Sequence, residues 1–220
     1  MREPAPLQRP YTSIGLLTVT YRNTDNNRVE QKAETAFLIG DGTFALTAAH
    51  TLKRDERVFI SAQFEAPEYK QAKVLWWHAH PQYVDVSKSH TIYDMAVVKL
   101  DAKLDDPLEL RYVTDHTVIA NETRIVAGYV GETLNRNTAI IARWPQDGNL
   151  VVPYQYALNT TVPGMSGGPV FASDSHEVDA VISGSTNTHC VAAPIVYGSG
   201  SMSYEFIDHV MKKNQPPGNG

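Results

Sequence analysis

Three short segments carry residue types whose order allows chemistry: Leu46-Thr47-Ala48-Ala49-His50, Tyr93-Asp94-Met95-Ala96-Val97 and Gly164-Met165-Ser166-Gly167-Gly168-Pro169. A serine hydroxyl is a poor nucleophile at neutral pH and needs a positioned base to take its proton. Histidine suits that task because its unperturbed pKa lies near working pH. A buried carboxylate behind the imidazole fixes its tautomer and stabilises the imidazolium formed during attack. His50, Asp94 and Ser166 therefore read as base, orienter and nucleophile. Ser166 sits among glycines, so its backbone can turn sharply and a carbonyl can approach closely. The N–H groups of Gly164 and Ser166 can then face a developing oxyanion, where losing one donor costs about 2.7–4 kcal/mol.

The elements that must position these residues read as short strands. Ile14 to Tyr21, Ala36 to Ile39, Phe44 to Thr47, Arg57 to Ala62, Lys73 to Trp77 and Met95 to Leu100 are rich in Val, Ile, Thr, Phe and Tyr. Arg124 to Tyr129, Thr138 to Ala142, Asn149 to Tyr156, Pro169 to Phe171, Val178 to Ile182 and Pro194 to Tyr197 continue the series. Asp41-Gly42 and Asp147-Gly148 stand where hairpin turns are expected. Strands spaced this closely predict an all-β barrel or sandwich. One segment reads as a helix, Ser203 to Lys213, with Phe206, Ile207 and Val210 on one face and Lys212 and Lys213 in its last turn. The breaker-rich residues after it predict a disordered tail, and the charged stretch Asp101 to Pro107 predicts a joint between two halves.

Bulk properties narrow the classes of function. The 220 residues, 42% hydrophobic and 20% charged, suit one sizeable globular unit or two half-domains sharing a core. A net charge of −5 with no extended run of Lys and Arg argues against nucleic acid or an anionic membrane as the main partner. The single cysteine, Cys190, allows no intramolecular disulfide, so the fold must rest on its core. The opening residues lack the apolar run of a signal peptide, and every apolar run is too short to cross a membrane. Gly148 to Ser173 and Ala180 to Tyr204 carry no Asp, Glu, Lys or Arg. They read as buried core of a second half and as walls of a water-poor cleft, where dipoles act at low effective dielectric.

Together the three motifs resemble those of the chymotrypsin-like (trypsin-fold) serine proteases. Thr47-Ala48-Ala49-His50 matches the family's histidine motif, Tyr93 to Leu100 its aspartate motif, and Gly164 to Val170 its serine motif. His80-Pro81-Gln82-Tyr83 resembles the segment that precedes the aspartate strand, and Ala180 to Ser185 the strand whose serine supports the triad. The resemblance runs from about Ser13 to Lys213. It implies two packed six-stranded antiparallel β-barrels with a C-terminal helix, and a catalytic triad in the cleft between them. The expected division is 1–105 for the barrel carrying His50 and Asp94, 106–202 for the barrel carrying Ser166, 203–213 for the helix and 214–220 for the tail. The implied activity is hydrolysis of polypeptides through an acyl-enzyme on Ser166, with no cofactor and no metal.

Departures from the digestive members matter. Met165 stands where those enzymes carry an aspartate that pairs with a new N-terminus, and no Ile-Val-Gly-Gly start is present. Activation through that salt bridge is therefore not expected, and the chain looks more like bacterial, viral or HtrA-type members. Thr160 falls where trypsin-like enzymes place an aspartate, which argues against cleavage after Lys or Arg. Thr160, Thr161, Ile182, Ser183 and Ser185 are the candidates to line the substrate site. Thr161 and His189 also raise a Glu or Gln preference, as in relatives that bind such side chains with a Thr and a His, although His189 is not at the expected offset.

Competing readings stay in view. A silent protease-fold interaction module would fit if the oxyanion loop were collapsed. The glycine-flanked serine also satisfies the Gly-x-Ser-x-Gly elbow of α/β-hydrolases, with Asp174, Asp179, Asp208, His176, His189 and His209 as possible partners, but the residues after Ser166 read mostly as strands. His78 and His80 alternate as though on one strand face and suggest metal binding, yet no third ligand accompanies them. Asp85 is the alternative to Asp94, but only Asp94 leads an apolar strand.

Overall fold

The computed structural model describes residues 8–84, 91–111, 123–143, 154–157, 163–172, 174–185, 189–195 and 203–213. The first half forms strands β1 (Ile14–Asn23), β2 (Val29–Ile39), β3 (Phe44–Thr47), β4 (Arg57–Ala66), β5 (Lys70–Ala79) and β6 (Ala96–Leu100). They close into an antiparallel barrel in the order β1-β2-β3-β6-β5-β4. The second half forms β7 (Thr123–Val130), β8 (Thr133–Arg143), β9 (Tyr154–Ala157), β10 (Pro169–Ala172), β11 (Val178–Ser185) and β12 (His189–Pro194). These close in the order β10-β11-β12-β9-β8-β7, again antiparallel. A single helical turn α1 (Ala49–Leu52) and the helix α2 (Ser203–Lys213) complete the described α-helices.

The side-chain alternation of the strands explains how two barrels share one core. In β2, Ala36 and Leu38 point into the first barrel with Leu17, Val19, Phe64 and Val98, while Phe37 and Ile39 face the other way. There they join Phe44, Leu46, Met95 and Val97 against Ala127, Tyr129, Phe171 and Val181 of the second barrel. Ile207 and Val210 of α2 close the same cluster. Such strands must be apolar on both faces, and that is why Ala36 to Ile39 is a continuous run. Each Phe, Leu or Ile buried here contributes roughly 1.5–3 kcal/mol. A smaller cluster built on Val126, Met165, Val170, Ile182 and Cys190 fills the second barrel. Among the described residues of this barrel, a buried charge pair forms where Arg124 Nε donates to Asp179 Oδ2 at 2.6 Å.

Several expectations need correction. A strand is expected over Pro194 to Tyr197; the structure shows β12 over His189–Pro194, pairing Ala180 with Pro194 and Ser185 with Cys190 on β11, while Val196 and Tyr197 lie outside the described residues. β2 and β8 extend well beyond their apolar runs, since the ladder continues where polar side chains such as Gln31 and Asn135 face solvent. His78 and His80 do not share a strand face. β5 stops at Ala79; His78 is exposed beside Trp76, whereas His80 is 2% exposed and its N–H donates to the Met95 carbonyl. The Asp147-Gly148 turn and the tail beyond Lys213 lie outside the described residues. Among those described, no helix is long and apolar enough to cross a membrane.

Candidate active site

The site begins where β3 ends. Thr47 pairs with Ala96 across β3 and β6, and the chain then enters α1 through Ala48 in an extended conformation. This one turn is too short to show helical periodicity in the sequence, yet it carries His50. Asp94 follows a 3-10 turn over Thr91–Tyr93 and precedes β6, so both residues issue from the same edge of the first barrel. The Asp94 carboxylate accepts from His50 Nδ1 at 2.7 Å and from the His50 backbone N–H at 2.9 Å. Ser183 Oγ of β11 donates to its Oδ2 at 2.5 Å. With Asp94 1% exposed and His50 5% exposed, three donors replace water around a buried carboxylate. Donation of the Nδ1 proton to Asp94 leaves Nε2 as the free lone pair of the imidazole.

The serine loop reaches this site by close backbone packing. Gly167 has φ +85°, and a β-carbon there would overlap the Thr35 carbonyl and Thr47 Oγ1 of the first barrel. Only glycine allows both that conformation and that approach. Gly167 N–H donates to the Ile182 carbonyl at 2.7 Å, and Gly168 N–H donates to the Met165 carbonyl at 3.0 Å. Gly164 has φ +103°, and its missing β-carbon would lie 2.7 Å from the Tyr129 carbonyl. Thr35 N–H donates to the Ser166 carbonyl at 3.0 Å, and Thr35 Oγ1 to the Gly164 carbonyl at 2.8 Å. Thr35 escapes sequence reading because one threonine inside a strand carries no signal of its own.

Not every candidate joins this constellation. Thr160, Thr161 and Asp85 lie outside the described residues. Ile182 is fully buried in the second barrel's interior cluster with Met165 and Cys190. Ser183 turns its hydroxyl to Asp94. Ser185 and His189 sit at the facing ends of β11 and β12. Asp179, a possible acid for the hydrolase-elbow reading, is held by Arg124 instead of a histidine. His80 supports the Asp94 turn: its ring stacks on Tyr93 at 4.9 Å and meets Phe206 of α2 edge-on at 5.0 Å. Gln82 N–H donates to His80 Nδ1 at 3.2 Å, so the segment resembling His-Pro-x-Tyr packs around Asp94's neighbours. Among the described residues no group of three His, Cys, Asp or Glu is arranged for a metal ion.

Comparison with known proteins meets this geometry on the same ground. The family described as the trypsin-like peptidase domain matches residues 34–181, which include all three motifs. The chain belongs to the trypsin-like peptidase family. It is a serine endopeptidase by class, and its substrates are polypeptides. No curated protein sequence matches this protease. Solved structures share its fold at low identity. A Glu endopeptidase is 18% identical with a TM-score of 0.68, covering 93% of this chain and 92% of its own. A thermostable serine protease, AL20, from an extremophilic microorganism is 14% identical with a TM-score of 0.64, over 89% and 97%. Protease Anisep from Arthrobacter nicotinovorans is 16% identical with a TM-score of 0.63, over 90% and 96%. At such identity these structures speak to the two-barrel fold of the protease.

Proposed function

We propose that this protease cleaves peptide bonds through a Ser166–His50–Asp94 triad and an acyl-enzyme. The observation that carries the reading is the Asp94 carboxylate, which holds His50 by both its ring and its backbone while Ser183 holds Asp94. Ser166 Oγ attacks the carbonyl carbon and His50 Nε2 takes the hydroxyl proton. The same proton passes to the leaving amine as the C–N bond breaks. Water then attacks the ester, giving its proton to His50, and Ser166 is regenerated. Asp94 keeps the imidazole in the tautomer that accepts at Nε2 and stabilises the transient imidazolium. The Gly164 and Ser166 N–H groups receive the oxyanion. Thr160 in place of an acidic residue supports cleavage after residues other than Lys and Arg.

Reaction with a fluorophosphonate probe tests the mechanism whatever peptide the enzyme prefers: a Ser166 Oγ–phosphorus bond forms, fluoride leaves, and the proton goes to His50. Wild type should be labelled and Ser166→Ala should lose both labelling and peptide cleavage with an unchanged far-UV spectrum. Labelling of the alanine variant at full rate would remove Ser166 from the mechanism. A folded wild type that resists the probe would favour the silent interaction module. A peptide library read at the residue before each cut tests the pocket. Cuts after Lys or Arg would overturn the role given to Thr160, and cuts after Glu or Gln would turn attention to Thr161 and His189.

A further inference from the structure

One residue of the first barrel holds the loop of the second on which this mechanism depends. Thr35 of β2 is fully buried and spends every hydrogen-bonding group it owns at the barrel interface. Its N–H donates to the Ser166 carbonyl at 3.0 Å, and its carbonyl accepts from Thr47 Oγ1 at 2.8 Å. Its hydroxyl accepts from the Tyr129 N–H at 2.8 Å and donates to the Gly164 carbonyl at 2.8 Å. The direction of that last bond is determined by chemistry. Tyr129 N–H can only donate and a carbonyl can only accept, so the single hydroxyl proton must lie toward Gly164.

The consequence is felt along the loop, one peptide at a time. The Gly164–Met165 peptide is pinned at its carbonyl by the Thr35 hydroxyl. The Ser166–Gly167 peptide is pinned at its carbonyl by the Thr35 N–H and at its own N–H by the Ile182 carbonyl. Between them lies the peptide whose N–H belongs to Ser166, its carbonyl held by Gly168 N–H at 3.0 Å. Gly164, with φ +103° and no β-carbon, has little steric preference to keep this arrangement by itself. Met165 adds bulk beneath the loop, fully buried, with its Cα 2.9 Å from where a β-carbon on Gly128 would stand. Close backbone packing of this kind leaves no room for a side chain on Gly128 but does not orient a peptide dipole. We infer that the Thr35 hydroxyl is the positioning group that, by fixing the peptide before it, keeps the Ser166 N–H directed at the oxyanion, taking the place of an activation salt bridge that Met165 cannot make.

This inference rests on the oxyanion role proposed above, and its test separates the two. Thr35→Val keeps shape and β-branching but removes the hydroxyl; Thr35→Ser keeps the hydroxyl and loses a methyl. With the fluorophosphonate probe, the maximal labelling rate of the Val variant should fall about 10- to 100-fold while its half-saturating concentration stays within about twofold. Thr35→Ser should recover most of the rate, which a packing role would not produce. Labelling is followed well below each variant's thermal midpoint. A Val variant that labels like wild type overturns the inference. So does an equal loss in Val and Ser, or a Val variant that fails to fold while Ser folds, because the side chain would then serve packing or the fold and not the loop. Failure of the underlying reading looks different: wild type itself would then go unlabelled, or Ser166→Ala would label.

Discussion

The most concentrated chemistry in the protein is at Asp94, where one carboxylate accepts three hydrogen bonds from two barrels. Each donor does a separate job, so each deletion has its own signature. Asp94→Asn keeps the shape but presents an N–H to His50, which forces the other tautomer and should lower kcat on the order of 10⁴-fold. Ser183→Ala removes a hydrogen bond to a buried charge, worth about 1.5–3 kcal/mol, and leaves His50 in place. It should cost about tenfold in labelling rate, measured beside Asp94→Asn with the same probe. Equal losses in the two variants would mean that Ser183 controls the tautomer as fully as Asp94 does. The three motif residues stand out in the sequence because each has distinctive neighbours, and the structure brings the His50 ring within 2.7 Å of Asp94. Thr35 does not, because its importance lies in what folds onto it from more than a hundred residues away.

At the scale of elements, the serine loop and the C-terminal helix are the pieces with least room to change. Gly167→Ala adds a β-carbon that overlaps backbone and side-chain oxygens of the other barrel at φ +85°. It should cost more than about 4 kcal/mol, or prevent folding, as a denaturant midpoint would show. Ile207 of α2 is fully buried in the cluster between the barrels, so Ile207→Ala should cost about 2–5 kcal/mol by the same measurement. The sequence revealed α2 through its apolar face, and most strands through β-branched runs that the structure places within longer ladders. It hid α1, which is one turn long, and β12, whose Cys190-Val191-Ala192-Ala193 lacks any alternation because both faces are buried. The specificity pocket stayed illegible for a related reason: pockets are built by side-chain direction, which a strand pattern leaves open.

At the scale of the whole molecule, stability and activity meet in the layer between the barrels. Tyr129 lies in that layer, and burial, followed by the charge of Glu65, raises its pKa above the ordinary tyrosine value. Burial and a hydrogen bond to Glu30 raise Tyr21 in the same direction. A raised pKa means that the fold favours the neutral phenol. The stability gained is complete below about pH 10 and declines as pH rises through the elevated folded values. Denaturant midpoints should therefore fall above about pH 10, and Tyr129→Phe should flatten that fall. An unchanged slope in Tyr129→Phe would place the alkaline transition elsewhere.

The stretch that follows β6 suggests one more use of this architecture. Asp105 and Asp106 are exposed, and the strands on either side belong to different closed barrels. A chain supplied as two polypeptides divided between them would put imidazole and carboxylate on one fragment and the hydroxyl on the other. Neither fragment alone would consume the phosphonate reagent, and their mixture would do so only as far as they had reassembled. The rate of covalent capture would then serve as a gauge of fragment complementation, with the strength of the seam between the halves read directly from its concentration dependence.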